Sequence, residues 1–359
     1  MNKIHNFSAG PAILPQSAID ASIEALRNFA DTGLSLIEVS HRSKEYEAVV
    51  EEATQLVKDI LQLGDDYAVI FLQGGASLQF DMIPMNWLGE GEIAAYTNTG
   101  VWASRAIKEA KLFGNVNVLA SSEDKNFSYI PKNYAVPADV KYFHCTSNNT
   151  IYGTEMFNFP ETNSVPLVCD MSSDIFSRPF DATAFDLIYA GAQKNMGPAG
   201  TTLVIIKKSF LEKRTKRTIP TMLDYKVHVE NGSMYNTPSV FAIFVCMHTL
   251  RWIKSIGLKA MGERNKAKAD LLYNEIDRNG LFTGTVAKED RSRMNVNFVL
   301  TNKEHEAEFL KFCESRNLSG LKGHRSVGGL RASLYNALEL ESVQVLVNAM
   351  QEFEKAKMG

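Results

Sequence analysis

The chain has 359 residues, 45% hydrophobic and 22% charged, the length of two ordinary domains or of one large domain with an appendage. Lys plus Arg number 38 against 41 Asp plus Glu, a formal charge of -3. That balance excludes a broad polybasic surface for nucleic acid and leaves room for a local cluster of cations in one cleft.

Met1–Ala12 has no basic region followed by an apolar stretch, so no signal peptide is read. After Pro15, Ile19, Ile23 and Leu26 recur at helical spacing. A cleaner helix follows Ser43: Tyr46, Val49, Val50, Ala53, Leu56, Val57, Ile60 and Leu61 form one stripe, and Gly64 is expected to end it. Short β-rich runs follow at Tyr67–Leu72, Ile93–Asn98, Asn115–Leu119, Val140–Cys145, Pro166–Met171, Asp186–Ala190 and Thr202–Ile206. Several are apolar throughout, as strands buried on both faces are. Helical patterns lie between some of them, at Leu78–Leu88 and Trp102–Phe113. The alternation predicts an α/β fold with an open, mostly parallel sheet and helices on both sides. In such sheets ligands bind beyond the carboxyl ends of the strands. The basic stretch Lys207, Lys208, Lys213, Arg214, Lys216, Arg217 reads as a solvated helix face.

Val240–Leu250, the longest uncharged apolar stretch, falls short of the ~20 residues that cross a bilayer and reads as part of a buried helix. Beyond it come a long charged helix from Ala260 to Asn279, a strand at Met294–Leu300, a helix at Glu304–Glu314, a glycine-rich loop, a strand at Arg331–Leu334 and a closing helix. This predicts a large domain over residues 16–257 and a smaller α+β domain over 258–359. The segment 1–15 is expected to pack at the cleft or on the small domain. The four cysteines, Cys145, Cys169, Cys246 and Cys313, are far apart without a Cys-x-x-Cys pair, which suits reduced residues of a cytoplasmic protein. The seven histidines show no ligand spacing, so no metal is expected. No membrane or nucleic-acid partner is expected either.

The strongest chemical signal is Lys194, just past a strand and followed by Gly197-Pro198-Ala199-Gly200. Desolvation in a strand-end cleft would favour its neutral amine, which can condense with an aldehyde. Taken alone, the same loop reads as a surface turn. Asp170 ends another strand, and a carboxylate there needs a partner. A protonated ring nitrogen would serve, and so would a turn capped by Asp170, Ser172 or Asp174. Gln73-Gly74-Gly75-Ala76-Ser77 joins a strand to a helix, where small residues and free amides suit a phosphate, or simply make a turn. It matches neither the dinucleotide nor the ATP-type glycine pattern. Trp102 follows a strand and could stack on a flat ring or merely pack. His41-Arg42, His324-Arg325 and Arg331 are either surface ion-pair partners or anion ligands. Lys322–Arg331 holds four cations without one acid, a composition that repels itself unless it faces an anion.

Together these residues resemble the phosphoserine aminotransferases, of the class V branch of fold-type-I pyridoxal-phosphate aminotransferases. The resemblance runs nearly end to end. It is carried by Asn6–Ala12, Val39–Arg42, Tyr189–Gly200, Asn231–Pro238, Ser292–Val296 and Lys322–Ser333. It implies a fold-type-I large domain with a mainly seven-stranded sheet, and pyridoxal 5'-phosphate as cofactor. It implies Lys194 as the lysine that binds the cofactor's aldehyde and shuttles the proton, Asp170 as the ring-nitrogen partner and Trp102 as the stacking ring. Ala76, Ser77 and Gln193 are implied as phosphate ligands, and Thr150 as donor to the phenolic oxygen. Asn236 and Thr237 would complete the phosphate site from a second subunit, so a homodimer with shared active sites is implied. Arg331 would hold the substrate α-carboxylate, and His41, Arg42, His324 and Arg325 the distal anion. The implied reaction moves an amino group between L-glutamate and 3-phosphohydroxypyruvate, giving O-phospho-L-serine and 2-oxoglutarate. A side activity on a phosphothreonine-type substrate is compatible with the same cations. Ala9 and Ser77 depart from some members, which carry serine and arginine there. A cysteine desulfurase would need a mobile nucleophile, for which Cys313 is the candidate, and helical burial is its expected home. A non-catalytic scaffold is the third reading, set against the joint presence of Lys194 and Asp170.

Overall fold

The computed structural model describes residues 3–358. Its elements, in chain order, are β1 (His5–Asn6), α1 (Gln16–Arg27), α2 (Lys44–Leu61), β2 (Tyr67–Leu72), α3 (Gly75–Trp87), β3 (Ile93–Asn98), α4 (Val101–Ala110), β4 (Asn115–Ser121), β5 (Phe143–Thr146), β6 (Asn148–Asn149), β7 (Thr154–Glu155), β8 (Leu167–Asp170), β9 (Leu187–Gly191), β10 (Thr202–Lys207), α5 (Lys208–Leu211), α6 (Tyr225–Glu230), α7 (Val240–Ile256), α8 (Leu258–Arg278), β11 (Phe282–Gly284), β12 (Asn295–Leu300), α9 (Glu306–Glu314), β13 (Leu318–Ser319), β14 (Leu330–Ser333) and α10 (Leu340–Met358).

All seven strand runs expected between Tyr67 and Ile206 join one sheet, in the order β2-β10-β9-β8-β5-β3-β4. Only β10 runs against its neighbours, while β9, β8, β5, β3 and β4 are parallel. Side chains alternate between the faces, as strand geometry demands. Val69 and Phe71 join the core under α2 and α7, and Ile70 and Leu72 the core under α3 and α4. The edge strand β4 is the exception to burial on both faces: most of its residues are exposed or half-buried. The other edge strand, β2, is buried throughout.

A separate core forms from β11, β12 and β14 with α8, α9 and α10, and Phe7 from the N-terminal segment is part of it. β1 pairs with β13, and the Ala12 amide donates to the Gln193 carbonyl. The N-terminal segment therefore touches both the second core and the loop after β9.

α1 forms where the spacing of Ile19, Ile23 and Leu26 indicates a helix, and that stripe faces outward, 38–44% exposed, while Ala18, Ser22 and Ala25 pack inward. Two local expectations need correction. α2 ends at Gln62, whose backbone is left-handed (φ 56°), not at Gly64. The basic stretch after Lys207 is mostly not helical: α5 is four residues long, Arg214 pairs with Asp224, and Arg217 donates to the Leu88 and Phe113 carbonyls. Among the described residues no single helix is long and apolar enough to cross a membrane.

Candidate active site

β8 and β9 are adjacent, parallel and in register, with Asp170 opposite Tyr189. Both end at the same edge of the sheet, so the residues just beyond them meet. After Gly191 the chain turns tightly: the Met196 and Gly197 amides both donate to the Ala192 carbonyl. Gly197 is required there, because a side chain would collide with the Cys246 sulfur. The turn carries Lys194 into the cleft, where its Nζ donates to Thr150 Oγ1 at 2.7 Å. Thr150 lies in the hairpin between β6 and β7, beyond the end of the neighbouring strand β5.

Burial pushes the Lys194 amine down to about 8; Asp170 pulls it back up, Arg331 pushes it further down and Asp174 opposes. Asp170 is 4% exposed. Its Oδ1 accepts from the Ser172 amide at 2.9 Å, so it makes the local turn as well as facing the cleft. Burial raises its pKa, opposed by the Lys194 charge and by hydrogen bonds from Ser172 and Tyr189. Among the described residues no cation comes within ion-pair distance of this buried carboxylate. A protonated nitrogen on a ring seated between Asp170 and Lys194 would supply that charge.

The other parts of a cradle follow the ends of other strands of the same sheet. α3 starts at Gly74 and Gly75, both left-handed (φ 89° and 65°), with no side-chain cap and no acid in its first turn. Its first amides, at Ala76 and Ser77, are the free donors that attract a phosphate. Space beside the Gly75 Cα is open. Trp102 sits in the first turn of α4, its Nε1 buried without a partner and the Arg105 guanidinium 4.8 Å from its ring centroid. Gln193 adjoins Lys194, and its carbonyl anchors Ala12. One buried acid, one amine and an uncapped helix start match the demands of pyridoxal phosphate.

Arg331, on β14, reaches the same place: its Nη1 donates to the Thr150 carbonyl at 3.4 Å and its Nε is buried and unpartnered. The loop Gly323–Gly329 brings His324 near Arg331, Arg325 and Arg105, whose charges, after burial, depress its pKa. Arg105 is a cation that sequence reasoning missed; it stands three residues after Trp102, one helical turn away. His41 and Arg42 occupy the turn before α2, with His41 Nε2 buried and unpartnered. No hydrogen bond within the described residues joins them to Lys194. The Thr237 carbonyl accepts from Gln73, next to the start of α3; Thr237 is exposed and Asn236 half-buried. Tyr335 was also missed: its hydroxyl donates to the Ala9 carbonyl at 2.9 Å and accepts from Asn295. Position 9 thus contributes a backbone oxygen, whatever its side chain. Cys313 is 1% exposed in the second core, and burial lifts its thiol to about 12.

The family model for class-V aminotransferases matches residues 4–346. The chain is 60% identical over 354 residues to the phosphoserine aminotransferase of Flavobacterium psychrophilum, covering 98% of this chain and 99% of that one. Among solved structures it is similar to the phosphoserine aminotransferase from Bacillus circulans subsp. alkalophilus, with TM-score 0.96, 47% identity and 99% of each chain covered. It is also similar to the PLP-bound phosphoserine aminotransferase from Trichomonas vaginalis, with TM-score 0.92, 39% identity, and 97% of this chain and 100% of that one covered.

Proposed function

The chain belongs to the class-V aminotransferase family, and from that premise we propose that it exchanges an amino group between L-glutamate and 3-phosphohydroxypyruvate, forming 2-oxoglutarate and O-phospho-L-serine. The observation that carries this reading is the meeting of a lysine amine held near neutrality with a buried carboxylate that lacks a cation. Pyridoxal 5'-phosphate, when bound, supplies an aldehyde for an amine and a ring that accepts electrons from the substrate α-carbon.

Lys194 Nζ is the group that binds the aldehyde and carries the proton to and from the substrate α-carbon, a task that needs a base near the working pH. Thr150 Oγ1 orients that amine. Asp170 would hold the ring nitrogen, Trp102 would cover the ring, and Thr150 would also donate to the phenolic oxygen. Ala76, Ser77 and Gln193 would receive the phosphate. Arg331 receives the α-carboxylate through its free Nε. Both amino donors carry an anion at the far end, and His324 and Arg325, with His41 and Arg42, form the cationic pocket that accepts either a phosphate or a carboxylate.

A homodimer with shared active sites is part of the proposal. The exposed stripe Ile19, Ile23, Leu26, together with Leu34 (48%) and Ile37 (67%), leaves apolar surface that a second copy would cover. Asn236 and Thr237 would then reach the partner's phosphate. Four unpaired, buried cysteines support a cytoplasmic location. The buried Cys313 disfavours a desulfurase.

The test is a coupled assay with O-phospho-L-serine and 2-oxoglutarate, with phosphothreonine-type substrates, alanine and cysteine as comparison donors. Glutamate should form fastest from phosphoserine, and Arg325→Leu should raise the phosphoserine KM at least about tenfold. Equal rates with alanine would contradict the reading.

A further inference from the structure

Under Asp170, on the face covered by α3 and α4, lie polar side chains that the reaction above does not use. Tyr189 is the register partner of Asp170 on the adjacent parallel strand, so their side chains leave the same face. The Tyr189 hydroxyl extends the other way as well, across β8, to stand 2.9 Å from His144 Nε2 on β5. Both residues are buried, at 0% and 1% exposure. Their rings are fixed: His144 stacks on Tyr96 with centroids 4.8 Å apart, and Phe80 meets Tyr189 edge-on at 6.3 Å.

The direction of this hydrogen bond decides where the phenol proton goes. Burial pushes the His144 pKa down to about 3, against a backbone hydrogen bond of its own residue, so the ring is neutral and has a single N–H. Nδ1 makes no side-chain hydrogen bond. With the proton on Nε2, His144 is the donor to the Tyr189 oxygen, and the phenol proton is left for Asp170, whose pKa the phenol lowers. Burial and the neighbouring Asp170 charge raise the Tyr189 pKa well above 10, so the phenol keeps that proton. The other charges around Asp170 are Lys194, which favours its ionised form, and Asp174, whose carboxylate accepts from Ser147.

We propose that His144 and Tyr189 form a two-bond relay, from His144 Nε2–H to the Tyr189 hydroxyl to the Asp170 carboxylate, that holds Asp170 in its ionised form as the partner of a protonated ring nitrogen. The relay rests on the functional reading above. Neither residue touches substrate; both are positioning residues. Without the phenol proton Asp170 becomes the stronger base, and the proton it shares with the ring moves towards the carboxylate. The ring then withdraws electrons less.

The test loads pyridoxal phosphate labelled with nitrogen-15 in the ring into the wild-type protein and into Tyr189→Phe, His144→Phe and His144→Gln, and records the nitrogen resonance and the kinetics. The wild type should show a protonated nitrogen. Tyr189→Phe keeps the ring and loses one oxygen; its resonance should move towards that of neutral pyridine, and kcat should fall about tenfold with KM within about twofold. His144→Phe should move the resonance in the same direction, and His144→Gln, which can still donate N–H to the phenol, should restore it. An unmoved resonance in Tyr189→Phe, or His144→Gln behaving like His144→Phe, overturns the relay and shows packing alone. If His144→Phe does not fold, Tyr189→Phe still decides. A wild type that takes up no pyridoxal phosphate overturns the functional reading, and the relay with it; a loaded wild type with an unresponsive nitrogen overturns the relay alone.

Discussion

Replacing Lys194 by methionine in the cofactor-free protein should stabilise the fold at neutral pH and lose that advantage in alkali. The folded amine titrates at about 8, and in the unfolded chain at 10.5. Between these values the unfolded state binds more protons, so wild-type stability rises with pH across that window and is lowest below pH 8. The 2.5-unit gap corresponds to a ceiling of about 3 kcal/mol at 1.36 kcal/mol per unit. Part of the side chain remains open to the cleft, so about 2 kcal/mol is expected once solvent screening is allowed for. The methionine variant lacks this titration, and most other groups are common to both proteins. Urea unfolding of both apoproteins at pH 7 and pH 10.5 should therefore show a stability difference that changes by about 2 kcal/mol, in favour of the wild type as pH rises. A difference that stays constant across the window would mean that Lys194 is not held near neutrality, and the argument for its reactivity would fail.

Thr150→Val removes the acceptor of the Lys194 amine while keeping the β-branched shape; kcat should fall about tenfold with stability within about 1 kcal/mol, and an unchanged rate would remove Thr150 from the site. Asn195→Ala strips the buried amide that bonds the Ser173 and Ile175 carbonyls and accepts from the Asn336 amide; a loss of about 1–3 kcal/mol in urea unfolding is expected, and no loss would mean that this bridge between the Lys194 turn and the start of α10 carries little. Gly323→Ala would press a methyl into the Gly328 and Gly329 carbonyls, opening the loop of His324 and Arg325; KM for both amino donors should rise at least about tenfold with far-UV circular dichroism unchanged, and an unaltered KM would detach that loop from substrate binding.

The strand ends were readable because the sheet is buried on both faces: Tyr67–Leu72 and Ile93–Asn98 stand as runs with matching observed bounds. The placement of Lys194 and Asp170 at one edge of the sheet was readable for the same reason, since residues at or just past the end of such a run lie at the crevice. The spacing of Ile19, Ile23 and Leu26 marked α1 as a helix, but periodicity gives a face and not what that face meets; small residues Ala18 and Ala25 let the helix lie close on the core, and the larger ones point out. The partners of Arg217 are carbonyls at Leu88 and Phe113, far away in the chain, and no local pattern announces them. Tyr335 was missed for the same reason, its acceptor lying at Ala9. His144 did leave a signal. An imidazole between Phe143 and Cys145 in a buried strand needs a hydrogen-bond partner. Its neighbour in that role, Tyr189, reads in sequence as one more apolar strand residue.

The central claim is tested most directly by reducing the cofactor-loaded protein with borohydride and mapping the modified peptide by mass spectrometry. A pyridoxyl group on Lys194, absent from Lys194→Ala, is the predicted result; the label on another lysine, or none on a protein that still exchanges amino groups, would contradict it.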